Sequence, residues 1–413
     1  MKQPWITPLW ICSWRNFASK GIERFSYPKE VRFLDMTLET DGEDMPGIGF
    51  TLEEKIKIAR AVVDLGVEML AVRAGWGKAG RPLPQDIEDY LALSKAGTGA
   101  RLIAFCGTSR DDIDLARRYD AAGVVVQGAS SEVRLRLRGI NHEQVITETS
   151  QAMEYAKDHG LRVGYMPTDT PRANASFLRR LLRSVMKRAR FDSLIVSDSV
   201  GCTSPFGILN IVDEVRRIVR VPIELHCHND FGLATANAFA GVAAGASVVH
   251  TTINGMGERA GLVALEEIAL ALRVLRGIDT GISFEKLTVV SKLVSDFSGY
   301  STRRNKPVVG DYMMAEEIEA GVGTVLSMRK EDFMIADLPY PPELVGNRFR
   351  VSMGPKTGEN GVKWMLREKG LAFPEDQIPR LASEVRLLAR RVKRPLTDGE
   401  FMGLLEKVKS APS

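Results

Sequence analysis

The sequence contains few cysteines and no long apolar run, and both shortages limit what the protein can be. Its four cysteines, at positions 12, 106, 202 and 227, lie far apart and form no Cys-x-x-Cys pair. This spacing favours reduced thiols over a disulfide framework, so we expect a cytoplasmic protein. No stretch approaches the roughly 18 consecutive apolar residues of a membrane helix, and the start of the chain has no signal-peptide pattern. We therefore expect no membrane partner.

An excess of charge of one sign is also absent. The 56 basic and 52 acidic residues leave a net charge of +4 over 413 residues. A nucleic-acid-binding domain concentrates its basic residues, so we expect no nucleic-acid partner. The 44% apolar and 26% charged residues are ordinary for a soluble globular protein, and the length allows one large core with an appendage.

Residues 31–277 alternate short apolar runs with amphipathic segments. Predicted strands cover 31–34, 67–72, 101–105, 124–127, 161–165, 193–196, 221–226 and 247–253, and a helix follows each strand. Parallel strands need helical crossovers, and eight such units close naturally into a (β/α)8 TIM barrel. An open doubly wound sheet is the alternative. The first helix carries a capping box, formed by Thr51 and Glu54.

After residue 277 the alternation stops. Helical patterns return at 284–299, 361–369, 377–391 and 398–409, around a proline-rich stretch at 338–346. We predict three parts: a barrel over 1–283, a linker subdomain over 284–345 and a helical C-terminal subdomain over 346–413. The last two form an accessory region of small, mostly helical subdomains.

Two histidines end the seventh predicted strand. His226 and His228 stand two residues apart behind an apolar run, and residues i and i+2 of a strand point to the same face. Two surface histidines would give the same pattern. However, three of the five histidines lie between 226 and 250, and the carboxyl ends of barrel strands are where active sites lie.

Two further features belong to the same predicted mouth of the barrel. Asp35 ends the first strand, and with the two histidines it would form a site for Mg, Mn, Fe, Co or Zn with open positions. An aspartate at a strand end can also simply cap the next turn. Residues 254–261 form a glycine-rich loop after the eighth strand, which does not match a dinucleotide fingerprint.

These motifs resemble a known family. The run from His226 to Asn237 reads His-x-His-Asn-Asp-x-Gly-Leu-Ala-x-Ala-Asn, and 254–261 reads Asn-Gly-x-Gly-Glu-Arg-Ala-Gly. With Asp35 they are similar to the metal-dependent Claisen synthase and lyase barrels. That family includes isopropylmalate, homocitrate and citramalate synthases and hydroxymethylglutaryl-CoA lyase. Residues 305–310 resemble the start of the accessory region found in the synthases.

The resemblance implies an acyltransferase that condenses an acyl-CoA, such as acetyl-CoA, with a 2-oxo acid, using a divalent metal cation. It also implies a homodimer. The site residues that we predict are the metal ligands Asp35, His226 and His228; the substrate-binding residues Asp169, Ser199, Asn254, Gly257 and Glu258; and the catalytic residues Glu39, Glu43, Arg134, Arg172 and Glu317.

The chain also departs from the family pattern. Glu39 replaces an arginine that would stabilise an enolate oxygen, and one residue is inserted beside it. Further replacements are Ala71 and Thr168 for glutamates, Arg134 and Glu316 for histidines, and Leu262 for an asparagine. We expect the insertion to turn Glu39 away from the mouth, with Arg134 or Arg172 supplying the positive charge. Alternatively, Glu39 has a cationic partner or acts as a base.

Two classes of function therefore remain. The first is a synthase working on an atypical substrate, with metal-dependent aldolase or lyase cleavage as a variant of it. The second is a catalytically degenerate homologue that binds a ligand without turnover. The kept metal ligands favour an enzyme, and the replaced arginine and histidine favour the degenerate homologue.

Overall fold

Eight parallel strands close into a barrel in the computed structural model, which describes residues 10, 12–17, 25–75, 80–327 and 338–410. The strands are β1 (Arg32–Asp35), β2 (Met69–Gly75), β3 (Arg101–Cys106), β4 (Gly123–Ala129), β5 (Arg162–Thr168), β6 (Ser193–Asp198), β7 (Ile223–Cys227) and β8 (Val248–Thr251). Each strand pairs with the next, and β8 pairs with β1. The predicted (β/α)8 barrel is confirmed, and an open sheet is excluded because no strand edge is left unpaired.

Helices lie between successive strands of the barrel in the sequence, and the last two follow β8. They are α1 (Thr40–Glu43), α2 (Leu52–Asp64), α3 (Pro84–Lys95), α4 (Arg110–Arg118), α5 (Glu132–Arg138), α6 (His142–Asp158), α7 (Ala175–Arg188), α8 (Pro205–Arg216), α9 (Ala234–Ala243), α10 (Leu265–Arg276) and α11 (Leu287–Ser298). The predicted capping box of α2 is confirmed, since Thr51 and Glu54 each bond to the other's backbone amide. Among the described residues, no helix combines the length and apolar character needed to cross a bilayer.

Two helices follow β4, where the sequence predicted one helix after each strand. Residues Glu132–Arg138 form helix α5, which begins where the Ser131 hydroxyl accepts from the Arg134 amide at 3.2 Å. Gly139 ends it in the left-handed conformation. Only Leu135 of this helix is buried. Val133, Leu135 and Leu137 alternate with charged residues, so the sequence has a period of two and not the period that indicates a helix.

Apolar side chains fill the inside of the barrel. Leu34, Ile103, Val125 and Ile195 come from four different strands and pack in one buried cluster. This layer is the packed interior that a barrel of this size requires. Because it closes the centre, ligands have access only at the two ends of the barrel.

A second compact unit contains the described residues of Thr302–Ser413, while Ser13–Ser301 forms the barrel unit. The second unit has two short paired strands, β9 (Ala315–Glu316) and β10 (Arg350–Val351), and helices α12 (Glu319–Ser327), α13 (Glu359–Glu368), α14 (Ile378–Val392) and α15 (Asp398–Ser410). Their apolar faces share one core. Helix α11 groups with the barrel, and the predicted three-part division of the chain stays a prediction.

The packed interior generates a stability prediction. Ile195 is fully buried, so Ile195→Ala should lower the free energy of unfolding by about 2–4 kcal/mol through lost burial and a residual cavity. Val289→Ala is the control, because Val289 is 67% exposed and its truncation should change the value by less than about 0.5 kcal/mol. Urea unfolding followed by circular dichroism measures both. Equal effects for the two variants would contradict the assignment of this layer as the core.

Candidate functional site

A cavity of about 740 Å³ opens at the carboxyl ends of the barrel strands. Phe105 and Met166 supply apolar wall, and Gln127 and Thr168 supply polar wall. Six of the predicted site residues also line it: Glu39, Arg134, Ser199, His226, His228 and Glu258. The cavity therefore brings together side chains from loops that lie far apart in the sequence, at the end of the barrel where such sites occur.

The two histidines of the motif face each other in the cavity wall. Their Nε2 atoms are 3.2 Å apart, and both side chains are almost fully buried. Burial lowers the pKa of His226 well below its usual value and the pKa of His228 to about 4. Both rings are therefore neutral near pH 7 and have nitrogen lone pairs available to a cation.

This pair of imidazoles fits a divalent ion. Metal–nitrogen bonds of about 2.0–2.1 Å at tetrahedral or octahedral angles place two ligand atoms about 2.9–3.4 Å apart. Asp35 ends β1 at the same end of the barrel, and both of its oxygens accept hydrogen bonds from Thr37 at 3.0 Å. In the described part of the chain, no three His, Cys, Asp or Glu side chains are grouped as a ready metal site. Asp35 as a third ligand stays a prediction.

Glu39 lies in the wall of the cavity, so the expectation that it turns away from the mouth is wrong. The amides of Gly42 and Glu43 donate back to the Glu39 carbonyl, which places Glu39 at the start of helix α1. Its carboxylate is nearly fully buried and lies 3.9 Å from the Arg73 Nε atom. The alternative that Glu39 has a cationic partner is the one observed, and that partner is Arg73.

Two arginines were predicted to supply the positive charge of the arginine that Glu39 replaces. Of these, Arg134 lines the cavity and Arg172 does not. Helix α5 begins beside the end of β4 and carries the Arg134 side chain into the wall. Gln127, on β4, lines the same cavity, and its buried Nε2 atom has no hydrogen-bond partner among the described residues. Gln127 is not among the residues predicted from the sequence, where the available signal was a polar residue at the end of an apolar strand. Two donors in one wall suit an oxygen-rich ligand.

Asp169 lies behind the cavity wall and holds three loops together. It has a positive φ of 65° and is fully buried. Its carboxylate accepts from Arg172 Nε at 2.8 Å and from the Ser131 hydroxyl, and its amide donates to Ser199 Oγ at 2.9 Å. Neither Asp169 nor Arg172 lines the cavity, and the Arg172 guanidinium is occupied by this carboxylate. The loops after β4, β5 and β6 are joined through this one residue, by its carboxylate and its backbone amide.

The glycine-rich loop after β8 contacts α11 through Asn254. The side-chain Nδ2 atom of Asn254 donates to the Ser291 carbonyl at 2.9 Å, and the Ser291 hydroxyl donates to Asn254 Oδ1. Gly257 has a φ of 148°. At Gly261, with a φ of 90°, a Cβ would lie against the Gly255 carbonyl oxygen. The loop is therefore tightly folded, and Asn254 supports it from outside the cavity.

Arg259 fixes the position of Glu258 in the cavity wall. Its guanidinium donates to Glu258 at 2.8 Å, to Asp230 at 2.7 Å and to the Ser199 carbonyl at 3.0 Å. These acceptors belong to the loops after β8, β7 and β6. One planar cation with several donors thus sets the relative position of three loops.

Two predicted catalytic residues lie elsewhere. Glu43 contacts Lys55 Nζ at 3.5 Å and accepts from the Phe50 amide at 3.3 Å, and it does not line the cavity. Glu317 belongs to the second unit, where its carboxylate accepts from the Lys356 amide at 2.8 Å. The predicted catalytic role of Glu317 stays a prediction.

A buried histidine without an assigned role stands behind the pair. His250 lies on β8, and its Nδ1 atom is 3.3 Å from the Nδ1 atom of His226. Its Nε2 atom is 2.9 Å from a carboxylate oxygen of Glu224. The signal in the sequence was the concentration of histidines between 226 and 250. It could not reveal the contact, because the pairing of β7 with β8 sets which side chains meet.

Glu43 generates a pH prediction. Burial raises the pKa of Glu43 to about 7 from 4.5, although Lys55 opposes the shift. The folded state then holds a proton that the unfolded state has lost, so stability should fall as pH rises from about 4.5 to about 7. The Glu43→Gln variant should lose this contribution, with a slope difference on the order of 1 kcal/mol per pH unit. Urea unfolding at several pH values measures it, and parallel slopes for variant and wild type would refute it.

Comparison with known proteins identifies the family. The HMGL-like family matches residues 30–294. The chain is 34% identical over 363 residues to homocitrate synthase AksA of Methanothermobacter thermautotrophicus, covering 87% of this chain and 89% of that protein. It is 35% identical over 372 residues to 2-isopropylmalate synthase of Sulfurisphaera tokodaii, covering 90% and 94%.

A solved structure shares the fold. Hydroxymethylglutaryl-CoA lyase from Pseudomonas aeruginosa aligns with a TM-score of 0.59 at 18% identity, over 67% of this chain and 95% of that one. The synthases confirm the predicted enzyme class, an acyltransferase of the isopropylmalate and homocitrate synthase type. The chain belongs to the HMGL-like family.

Proposed function

We propose that the barrel condenses an acyl-CoA, in the simplest case acetyl-CoA, with a 2-oxo acid. The observation that supports it most is the content of one cavity: a neutral imidazole pair, a guanidinium and a buried carboxylate. These are the groups needed to bind a 2-oxo acid, to remove a proton from a methyl group and to stabilise negative charge. The synthases that the chain resembles support the same reaction class.

Arg134 and Gln127 are the residues that we propose for binding the 2-oxo acid. Both line the cavity, and the Gln127 Nε2 atom needs an acceptor that the described residues do not provide. A carboxylate would satisfy it and would also pair with the Arg134 guanidinium. Thr168 and Ser199 add hydroxyl groups in the same wall. The arrangement favours an acid with more than one oxygen-bearing group.

His226 and His228 would hold a divalent cation (Mg, Mn, Zn, Fe or Co), with Asp35 as the predicted third ligand. When bound, such an ion supplies Lewis-acid polarisation of a carbonyl group. The histidines contribute two neutral nitrogen donors at the required separation. Burial raises the pKa of the Asp35 carboxyl to about 7, which agrees with a carboxylate held in a low-dielectric position.

Glu39 is the residue that we propose as the base. It would take a proton from the acyl-CoA methyl group, and the resulting enolate carbon would form a bond to the keto carbon of the 2-oxo acid. The former keto oxygen gains a proton and becomes a hydroxyl. Water then cleaves the thioester and releases the free thiol and a carboxylate. Arg73, 3.9 Å from Glu39, favours the ionised form of the base.

Release of a free thiol tests this function. Purified protein is incubated with acetyl-CoA, Mn²⁺ or Mg²⁺, and 2-oxo acids whose side chains are a methyl group, a branched alkyl group or a chain ending in a carboxylate. We expect thiol release that requires both metal and one class of acid. Cleavage of a product-like acyl-CoA without condensation would instead indicate a lyase. Absence of turnover with retained ligand binding would indicate a degenerate homologue.

Two substitutions separate binding from proton transfer. Arg134→Ala should lower kcat/KM by about 10–100-fold, the effect of one lost charged hydrogen bond of about 1.5–3 kcal/mol. Arg136→Ala is the matched control, because Arg136 is exposed on the same helix and outside this cavity. Glu39→Gln should lower kcat by at least about 100-fold with little change in KM.

The two substitutions can also fail in informative ways. Full activity of Arg134→Ala would remove Arg134 from the proposed site, and full activity of Glu39→Gln would remove the proposed base.

Assembly as a homodimer is a further part of this proposal. Sedimentation of the intact protein at micromolar concentration tests it, and a monomer would contradict it.

A further inference from the structure

Helix α5 forms one wall of the cavity, although little of it is packed against the barrel. Arg134, Leu137 and Arg138 all line the cavity, and their spacing of three and four residues places them on one face of the helix. Leu135 is the only buried residue of α5. The position of this wall therefore depends on the contacts that attach a short, mostly exposed helix to its neighbours.

Two of these attachments are open to solvent. Arg138 donates to Glu148 at 3.0 Å, and the two side chains are 41% and 37% exposed. A carboxylate oxygen of Glu132 lies 2.7 Å from His142 Nε2, and the Glu132 side chain is 59% exposed. Exposed ion pairs contribute little, because water and salt screen them and long side chains lose freedom in forming them. These two pairs alone do not fix the orientation of α5.

The attachment at the first turn of α5 is buried. The Ser131 hydroxyl accepts from the Arg134 amide at 3.2 Å and donates to the Asp169 carboxylate. Ser131 is 1% exposed and Asp169 is fully buried, so water does not weaken this link. The start of α5 is thus tied through two side chains to the loop after β5.

Asp169 acts on the cavity only through other residues. Its two carboxylate oxygens accept from Arg172 Nε at 2.8 and 3.0 Å, and Asp169 is not among the described residues that line the cavity. Its backbone amide donates to Ser199 Oγ at 2.9 Å, and Ser199 does line the cavity. The carboxylate therefore reaches the cavity by way of Ser131 and Arg134, and the amide by way of Ser199.

We propose that Asp169 is a positioning residue: through the Ser131 hydroxyl it holds the first turn of α5, and so sets where the Arg134 guanidinium lies in the cavity. The inference rests on the proposed function only for the identity of the ligand that Arg134 binds. Loss of the link lets α5 shift and weakens recognition of the 2-oxo acid. The imidazole pair on β7 and Glu39 after β1 have no contact with this link and keep their places.

Hydrogen exchange detects the loosening of α5 without any ligand. Asp169→Asn suits the positive φ of 65°, because asparagine tolerates the left-handed region, and it keeps the backbone amide that bonds Ser199. Mass spectrometry of peptides covering residues 132–138 should show exchange about 5–10-fold faster than in the wild type, the effect of a weakened helix cap. Wild-type exchange of this segment in the folded Asp169→Asn variant overturns the proposal.

A second serine cap provides the matched control for exchange. Ser204 begins α8 at the same end of the barrel, and its hydroxyl accepts from the Gly207 amide at 3.3 Å. Ser204→Ala should speed exchange in the first turn of α8 and leave residues 132–138 unchanged. Equal acceleration of residues 132–138 in this control would mean a general loss of stability, and it would overturn the proposal.

Ligand affinity tests the consequence for recognition. Calorimetry with 2-oxopropanoate, 3-methyl-2-oxobutanoate and 2-oxopentanedioate, each with Mn²⁺, identifies the acid that the wild type binds. Its affinity should be about 10-fold lower in Asp169→Asn, a part of the effect of one lost charged hydrogen bond. In turnover with acetyl-CoA, the KM for that acid should rise by a similar factor while kcat stays within about 3-fold. A lower kcat at unchanged KM overturns the proposal.

Asp89→Asn is the matched control for the loss of a buried charge. Asp89 is 5% exposed and pairs with Lys55 Nζ at 3.0 Å, but it does not line the cavity. This variant should bind the same acid within about 2-fold of the wild type. An equal loss of affinity in Asp89→Asn would assign the effect to stability and overturn the positioning role.

A double variant shows whether the two residues act through one link. Asp169→Asn combined with Ser131→Ala should match Ser131→Ala alone within about 2-fold, both in exchange and in affinity, because both changes remove the same contact. Effects that multiply would mean that Asp169 acts by another route, which overturns the proposal. If none of the three acids binds, the proposed function fails, whereas the exchange of residues 132–138 still decides the positioning role.

Discussion

The closure of eight parallel strands is the constraint on which the site depends. All eight strands point the same way, so their carboxyl ends form one rim and the loops that follow them must share it. Asp35 and His226 are separated by nearly 200 residues in sequence, yet both lie at the ends of strands of this rim. The packed layer below it, which includes Ile195, closes the centre of the barrel. A ligand that binds at this rim is therefore contacted by these loops.

Burial at this rim makes charge compensation necessary, and arginines supply most of it. Asp169 is fully buried and forms an ion pair with Arg172. Arg259 forms ion pairs with both Asp230 and Glu258. Arg73 lies between Glu39 and Asp44. An arginine can bond two acceptors at once in a fixed plane, so each pair also sets loop geometry. The loops are held by these contacts, and those to Glu39 and Asp169 also compensate buried carboxylates.

The fold and the outline of the site could be predicted from the sequence, but the contacts between neighbouring loops could not. Strand–helix alternation gave the barrel, and the spacing of His226 and His228 placed both on one face. Helix α5 was missed because its apolar residues, Val133, Leu135 and Leu137, alternate with charged residues as in a strand and not with the period of a helix. The position of Glu39 was missed because it depends on the short helix α1 that begins after it. The His250 contact depends on the pairing of β7 with β8, which leaves no local mark in the sequence.

Two buried polar groups of the cavity wall have no hydrogen-bond partner among the described residues. Gln127 Nε2 and His228 Nδ1 are buried without a hydrogen-bond partner among the described residues, and each such group costs about 1–3 kcal/mol of stability. Apolar residues of similar size at these positions would avoid that cost. Both side chains line the same cavity, where a ligand or water can reach them. A cavity wall that contains two such groups agrees with a binding surface for a polar ligand.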